Sequence, residues 1–237
     1  MSVLSAVGLH RRFGRRVAVH DLSLRVEPGE VVGLLGPNGA GKTTAFRMLA
    51  GLLPLHAGQV RLDDVDITRW PLWRRARRGL GYLPQRPTVF RRLSVRDNLA
   101  VANDDPARRA TLLDTFGLRD LADDRGATLS GGERRRVEIA RAFAADPRIL
   151  LVDEPFAALD PKSAATVAEH LRLMADAGVG VLLTDHDARQ TLVACDRVYI
   201  VDRGVLLLEG TPDEVAADPR VRDAYLGDDF VSTAKGA

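Results

Sequence analysis

The 237-residue chain is poor in cysteine, lysine and aromatics: one cysteine, lysine only at positions 42, 162 and 235, and 5% Phe, Trp and Tyr. A lone thiol, Cys195, excludes an internal disulfide framework, and its expected role is that of a small buried hydrophobe. No apolar run approaches the roughly 20 residues that a membrane helix needs. The opening stretch, MSVLSAVGLHRRFGRR, lacks the apolar core of a signal peptide. Together these absences point to a cytoplasmic protein. Arginine supplies nearly all the positive charge, clustered at Arg74 to Arg78, Arg91–Arg92 and Arg134 to Arg136. The clusters are read as solvated helix faces without aromatic interleaving, so no nucleic-acid partner is expected. Glu138 stands where Arg134 and Arg141 can both pair with it along a helix.

What is present is ordinary globular composition, 46% hydrophobic and 28% charged, in a length that suits one domain over residues 1–237. The segment DLSLRVE from Asp21 to Glu27 alternates and reads as a half-exposed strand near a sheet edge. Three short runs are almost wholly apolar: VVGLL from Val31, ILLV from Ile149 and VGVLL from Val179. Such runs, separated by helical stretches, predict central parallel strands covered on both faces. Each ends at glycine-rich or polar residues, and in open α/β sheets ligands sit at those strand ends. Residues 86–146 read as a helical insertion, with helices over Ala107–Phe116 and Gly131–Ala145. RVYIV and VLLLE form a hairpin, Thr211 caps a helix, and residues 232–237 are expected to be a disordered tail.

The strongest motif is GPNGAGKTT, comprising Gly36, Pro37, Asn38, Gly39, Ala40, Gly41, Lys42, Thr43 and Thr44. Its glycines free backbone N–H groups for phosphates, Lys42 reaches the terminal phosphates, and the Thr43 hydroxyl suits Mg²⁺. Asp153 and Glu154 end a second buried strand, where adjacent acids require a cation or a catalytic task. Asp153 is assigned to Mg²⁺, and Glu154 to the attacking water as general base. His186 at the third strand end is a candidate to orient the γ-phosphate or the water. Gln85, where the insertion begins, is a candidate ligand to Mg²⁺ or water. In LSGGE, Ser130 and Glu133 have capping-box spacing, and the bare glycines Gly131 and Gly132 suit close approach of an anion to a helix end.

The order of GPNGAGKTT, the Gln85 loop, LSGGE, ILLVDEP, the loop ending at Asp160 and His186 resembles that of ABC-type ATPases. The resemblance implies an α/β P-loop fold with a mostly parallel sheet, antiparallel β elements and an inserted helical subdomain. It also implies ATP with Mg²⁺, and a homodimer in which Ser130, Gly131 and Gly132 of one subunit complete the other's site. Phe13 falls where that family commonly stacks an aromatic on adenine. Within the family, GLGYLPQ, VFRRLSVRDNL and AYLGDDF look like the ATPases of lipopolysaccharide exporters; the alternatives are the ATPase of a branched-chain amino-acid importer, a near relative, and, behind it, a soluble ABC ATPase acting on nucleic acid or ribosomes. That likeness implies a location on the cytoplasmic face of the bacterial inner membrane, and membrane-spanning subunits docking near Phe90, Arg91 and Arg92.

Overall fold

The computed structural model describes residues 3–226, so the expectation for residues 232–237 lies outside the described residues. In chain order the strands and helices are β1 Leu4–Phe13, β2 Arg16–Val26, β3 Val31–Leu35, α1 Lys42–Ala50, β4 Ala57–Leu62, β5 Val65–Asp66, α2 Leu72–Arg77 and β6 Leu80–Leu83. They continue with α3 Val95–Ala100, α4 Pro106–Thr115, α5 Gly131–Ala144, β7 Ile149–Asp153, α6 Pro161–Asp176 and β8 Gly180–Thr184. Last come α7 Ala188–Ala194, β9 Arg197–Asp202, β10 Val205–Gly210 and α8 Pro212–Ala217, followed by a short helical stretch to Leu226.

A six-stranded sheet runs β10-β9-β3-β8-β7-β6, parallel throughout except for the β9–β10 hairpin. The three apolar runs are β3, β8 and β7, side by side and buried at every position. Their alternating side chains feed two cores. Val32, Leu34, Ile149, Leu151 and Leu182 pack with α1 toward a second, antiparallel sheet of order β2-β1-β4-β5. Val31, Leu35, Leu150, Val152, Val181 and Leu183 face the opposite way, toward α5 and α6. Leu112, Phe116 and Leu129 from the segment between β6 and β7 join that same cluster, so its helices share a core with the sheet. β2 lies at an edge, as its alternation predicts, but it begins at Arg16 and pairs with β1, a strand the sequence pattern did not reveal.

Two of the arginines assigned to solvated faces are in fact buried. Arg75 donates to the carbonyls of Met48 and Leu49 at the end of α1, and to those of Thr68 and Trp70. A cation there complements the carbonyl end of the helix whose start is the phosphate loop. Arg135 is buried against Glu138 at 3.3 Å. Glu138 therefore does not pair with Arg134 and Arg141 as its spacing suggests. Arg134 turns back to the Leu129 carbonyl, and Arg141 bonds Thr88 and Asn98. Glu138 is drawn inward because it also accepts the main-chain N–H groups of Thr88 and Val89, replacing the water it loses.

Candidate active site

At the end of β3 the chain turns at Gly36, whose φ of 147° leaves a hypothetical Cβ 1.9 Å from the Val201 carbonyl oxygen. Gly41, at φ 106°, is equally confined, with the Ala18 carbonyl 2.3 Å from its Cβ position. Only glycine fits at either place. Gly41 also precedes α1 without a side-chain cap, so the first N–H groups of that helix remain for an anion. Lys42 folds back over the loop, its Nζ donating to the Gly36 and Pro37 carbonyls at 2.6 and 3.0 Å. Burial pulls its ammonium pKa down, while Glu154 and Asp185 oppose the shift.

This loop is one wall of a cleft of about 430 Å³. Asn38, Gly39, Ala40, Gly41, Lys42, Thr43 and Thr44 line it from below, and Phe13, Arg16 and Ala18 come from the β1–β2 hairpin. Glu154 and His186 close its far side. Phe13 is 49% exposed, which excludes a core role, and the Arg11 guanidinium lies 5.1 Å from its ring centroid, over one face. Arg16, which the motif reading passed over, reaches the Gly39 carbonyl at 3.4 Å. Its only sequence signal was its place three residues after Phe13 across a turn that closes a hairpin.

The acids part company at the end of β7. Asp153 keeps the strand conformation and stays buried, receiving the Tyr82 hydroxyl at 3.3 Å. Burial pushes its carboxyl pKa up, against the Tyr82 bond, with Glu154 adding repulsion. Glu154 adopts φ 48°, a left-handed conformation unusual for glutamate, and its carboxylate enters the cleft. Gln85 Nε2 donates to Glu154 Oε2 at 2.7 Å, and His186 Nδ1 lies 3.5 Å from the same oxygen. His186 is itself held at 3.1 Å by Asp185, a fully buried carboxylate that also accepts the N–H groups of Phe156 and Asp187. Asp185 is a positioning residue that the motif reading did not single out, although it too is an acid at a buried strand end. From the C-terminal segment, the Tyr225 hydroxyl meets the His186 carbonyl at 3.5 Å.

The fold thus brings Phe13, the phosphate loop, Gln85, Glu154 and His186 together, with Asp153 behind them. It does not bring Ser130, Gly131 or Gly132 to this cleft. Ser130 and Gly132 line a separate polar depression with Glu133, Asp160, Lys162 and Ser163. The capping box is formed there: Ser130 Oγ accepts the Glu133 N–H at 3.3 Å, and Glu133 accepts the Ser130 N–H at 2.7 Å. Phe90 is half exposed and borders a groove of about 380 Å³ with Tyr82, Val101 and Arg141; Arg91 and Arg92 lie outside its lining.

Thr43, Gln85 and Asp153 offer only hard oxygen donors, the set that suits a small divalent cation shared with phosphate oxygens. Among the described residues no cluster of three or more His, Cys, Asp or Glu side chains could hold a metal alone. Such a cation would therefore draw its remaining ligands from a phosphate or from water. The buried Asp153 carboxyl, with a single hydroxyl donor, fits that role.

Known proteins carry the same architecture. The model of the ABC transporter family matches residues 19–157, and that of the branched-chain amino acid ATP-binding cassette transporter matches residues 205–231. The lipopolysaccharide export system ATP-binding protein LptB of Escherichia coli K12 is 50% identical over 97% of this chain and 99% of its own. LptB of Acidithiobacillus ferridurans is 50% identical over 96% of this chain and 98% of its own. The ADP conformation of MJ1267, an ATP-binding cassette of an ABC transporter, superposes with a TM-score of 0.86 at 26% identity, over 96% of this chain and 100% of that one. Matched by a family model over more than half its length and by relatives at half identity from end to end, the chain belongs to the ABC transporter family of ATP-binding cassettes.

Proposed function

We propose that this ATPase powers lipopolysaccharide extraction from the inner membrane as the cytoplasmic subunit of an export system, with ATP and Mg²⁺ bound in the cleft. The observation that carries the chemistry is the entry of Glu154 into the same cleft as the phosphate loop. Mg²⁺, when bound, neutralises phosphate charge as it develops. Thr43, Asp153 and Gln85 would hold it. Phe13 stacks on the base, and Lys42 with the α1 N-terminus grips the phosphates. Glu154 accepts the proton of the attacking water, while Gln85 and His186 orient its carboxylate. Asp185 fixes His186 in turn.

Ser130, Gly131 and Gly132 face away from the cleft, and this supports a two-fold dimer in which each subunit completes the other's site. An isologous pairing lets both sites close together. Membrane-spanning subunits dock at the groove beside Phe90, with Arg91 and Arg92 at its margin. Among the described residues no helix is long and apolar enough to cross a membrane. The match to the importer model is confined to residues 205–231, whereas the likeness to the export proteins spans the chain, and this favours export.

The test is reconstitution with the two membrane subunits of a lipopolysaccharide exporter. ATP-dependent release of lipopolysaccharide from proteoliposomes is expected, and ATPase activity without release would reject the export reading. Phe90→Ala should weaken assembly by about 2 kcal/mol, as hot-spot truncations do, with nucleotide binding by the free subunit unchanged.

A further inference from the structure

From Ile67 to Arg96 the chain carries nine arginines and no acidic residue, although its net charge is only +2. Arg75 is the buried one, and Arg69, Arg74, Arg77 and Arg78 are exposed. Three of the carboxylates that flank this run have partners other than its exposed arginines. Asp63 pairs with Arg148 at 3.0 Å, Asp66 accepts from Gln59 and Thr68, and Asp97 bonds Ser94.

Both of the chain's tryptophans fall in the same stretch. The reading of this cluster as free of neighbouring aromatics therefore fails. The Arg74 guanidinium lies 3.9 Å from the Trp70 ring centroid and that of Arg77 lies 5.3 Å from Trp73. Trp73 is 60% exposed, an uncommon state for so large an apolar ring. Trp73 and Arg77 share a face of α2 at i, i+4, opposite the anchoring Arg75.

We propose that this face of α2, built on Trp73, Arg74, Arg77 and Arg78, rests on an anionic phospholipid surface. The Trp73 indole enters the headgroup boundary, while guanidinium groups bond lipid phosphates. Ala76 and Gly79 at the edge of α2 line the same groove as Phe90, so the patch is continuous with the membrane-subunit docking surface. Its orientation toward the bilayer rests on that docking reading. A lipid surface suits the patch better than nucleic acid because guanidinium groups already cover a face of each indole, and base stacking needs that face whereas insertion at a headgroup boundary does not.

The experiment uses the purified full chain without membrane subunits. It is mixed with vesicles of three parts phosphatidylglycerol to seven parts phosphatidylcholine, or with phosphatidylcholine alone. Because Trp70 and Trp73 are the only tryptophans, the intrinsic emission reports on this patch alone. A blue shift and cosedimentation with the anionic vesicles are expected, both reversed by salt. Neutralising Arg74 or Arg77 with glutamine should weaken binding about fivefold each, from about 1 kcal/mol per basic residue at an anionic surface. Trp73→Ala should weaken it as well and abolish most of the shift. Equal binding to neutral vesicles, no binding, or unaltered binding by Arg74→Gln, Arg77→Gln and Trp73→Ala would each overturn the proposal. So would a Trp73 requirement for copurification with the membrane subunits in detergent without any vesicle binding, which makes the patch a protein contact. Failed copurification of Phe90→Ala concerns the docking groove alone, so the two readings fail separately.

Discussion

Glu154 stands one residue beyond a strand in a left-handed conformation that costs a glutamate on the order of 1 kcal/mol or more. The turn separates it from Asp153, so one acid stays buried behind the site while the other enters the cleft. Replacing Glu154 with glutamine keeps shape and the Gln85 contact but removes the carboxylate proposed to accept the proton of water. Glu154→Gln should retain ATP binding and lose about 10²- to 10⁴-fold in turnover; steady-state phosphate release and nucleotide binding measured side by side decide it. Lys42→Ala should act on the other quantity, raising the ATP dissociation constant by at least tenfold, since the charge facing the phosphates is lost. A titration with fluorescent ATP checks this. At this scale the sequence was highly legible. Glycines whose Cβ has no room, a lysine beside them and acids after an apolar run are local signals that survive folding. Asp185 and Arg16 were less visible because their roles depend on partners 29 and 23 residues away, Phe156 and Gly39.

At the scale of elements, the buried strands announced themselves because both faces are covered, whereas β1 and β4 mix exposed and buried positions, the two-residue β5 has no buried one, and all three carry weaker patterns. Helix α5 shows where spacing misleads. Glu138 has arginines three or four residues away on either side, and tertiary packing chose Arg135, which also donates to the carbonyls of Pro84 and Asp153. No local pattern records that choice. Helix α6 carries a further device, His170, buried 4.7 Å from the Phe116 ring centroid with no hydrogen-bond partner for Nδ1. Burial, with the nearby Arg136, lowers its pKa to about 4. The unfolded chain takes up this proton below the ordinary value of 6.5, and the folded chain does not until about 4. Stability therefore falls as pH drops through that window, by on the order of 1–2 kcal/mol at pH 5. His170→Leu should flatten this part of the profile; urea denaturation of both proteins at pH 7.5 and pH 5 measures the difference. An equal pH loss in the variant would place the titration elsewhere.

At the scale of the whole molecule, the cleft and the Ser130 helix end stand apart, and the proposed dimer would join the cleft of one chain to the helix end of its partner. The cleft at the ends of β3, β7 and β8 has a loop, an acid and a histidine, while the Ser130 helix end looks onto a depression with Lys162 and Asp160. Gly132 is tightly confined there: a Cβ would lie 2.6 Å from Ser163 Oγ, at the start of α6. The starts of α5 and α6 are thus locked together and present one surface. If that surface closes a partner's cleft, Ser130→Arg should leave ATP affinity of the isolated subunit within about twofold while abolishing ATP-dependent dimerisation, because a long side chain fills the approach. The substitution also removes a helix cap, worth about 1 kcal/mol, so the variant should melt slightly earlier. Ser130→Ala supplies the control, losing the same cap without the bulk. In Glu154→Gln, which should hold ATP without turning it over, size-exclusion chromatography with ATP is expected to show dimers for Ser130→Ala and monomers for Ser130→Arg. Dimers in both would free the Ser130 helix end from any role in closure, and a monomer that no longer binds ATP would place Ser130 in its own subunit's site.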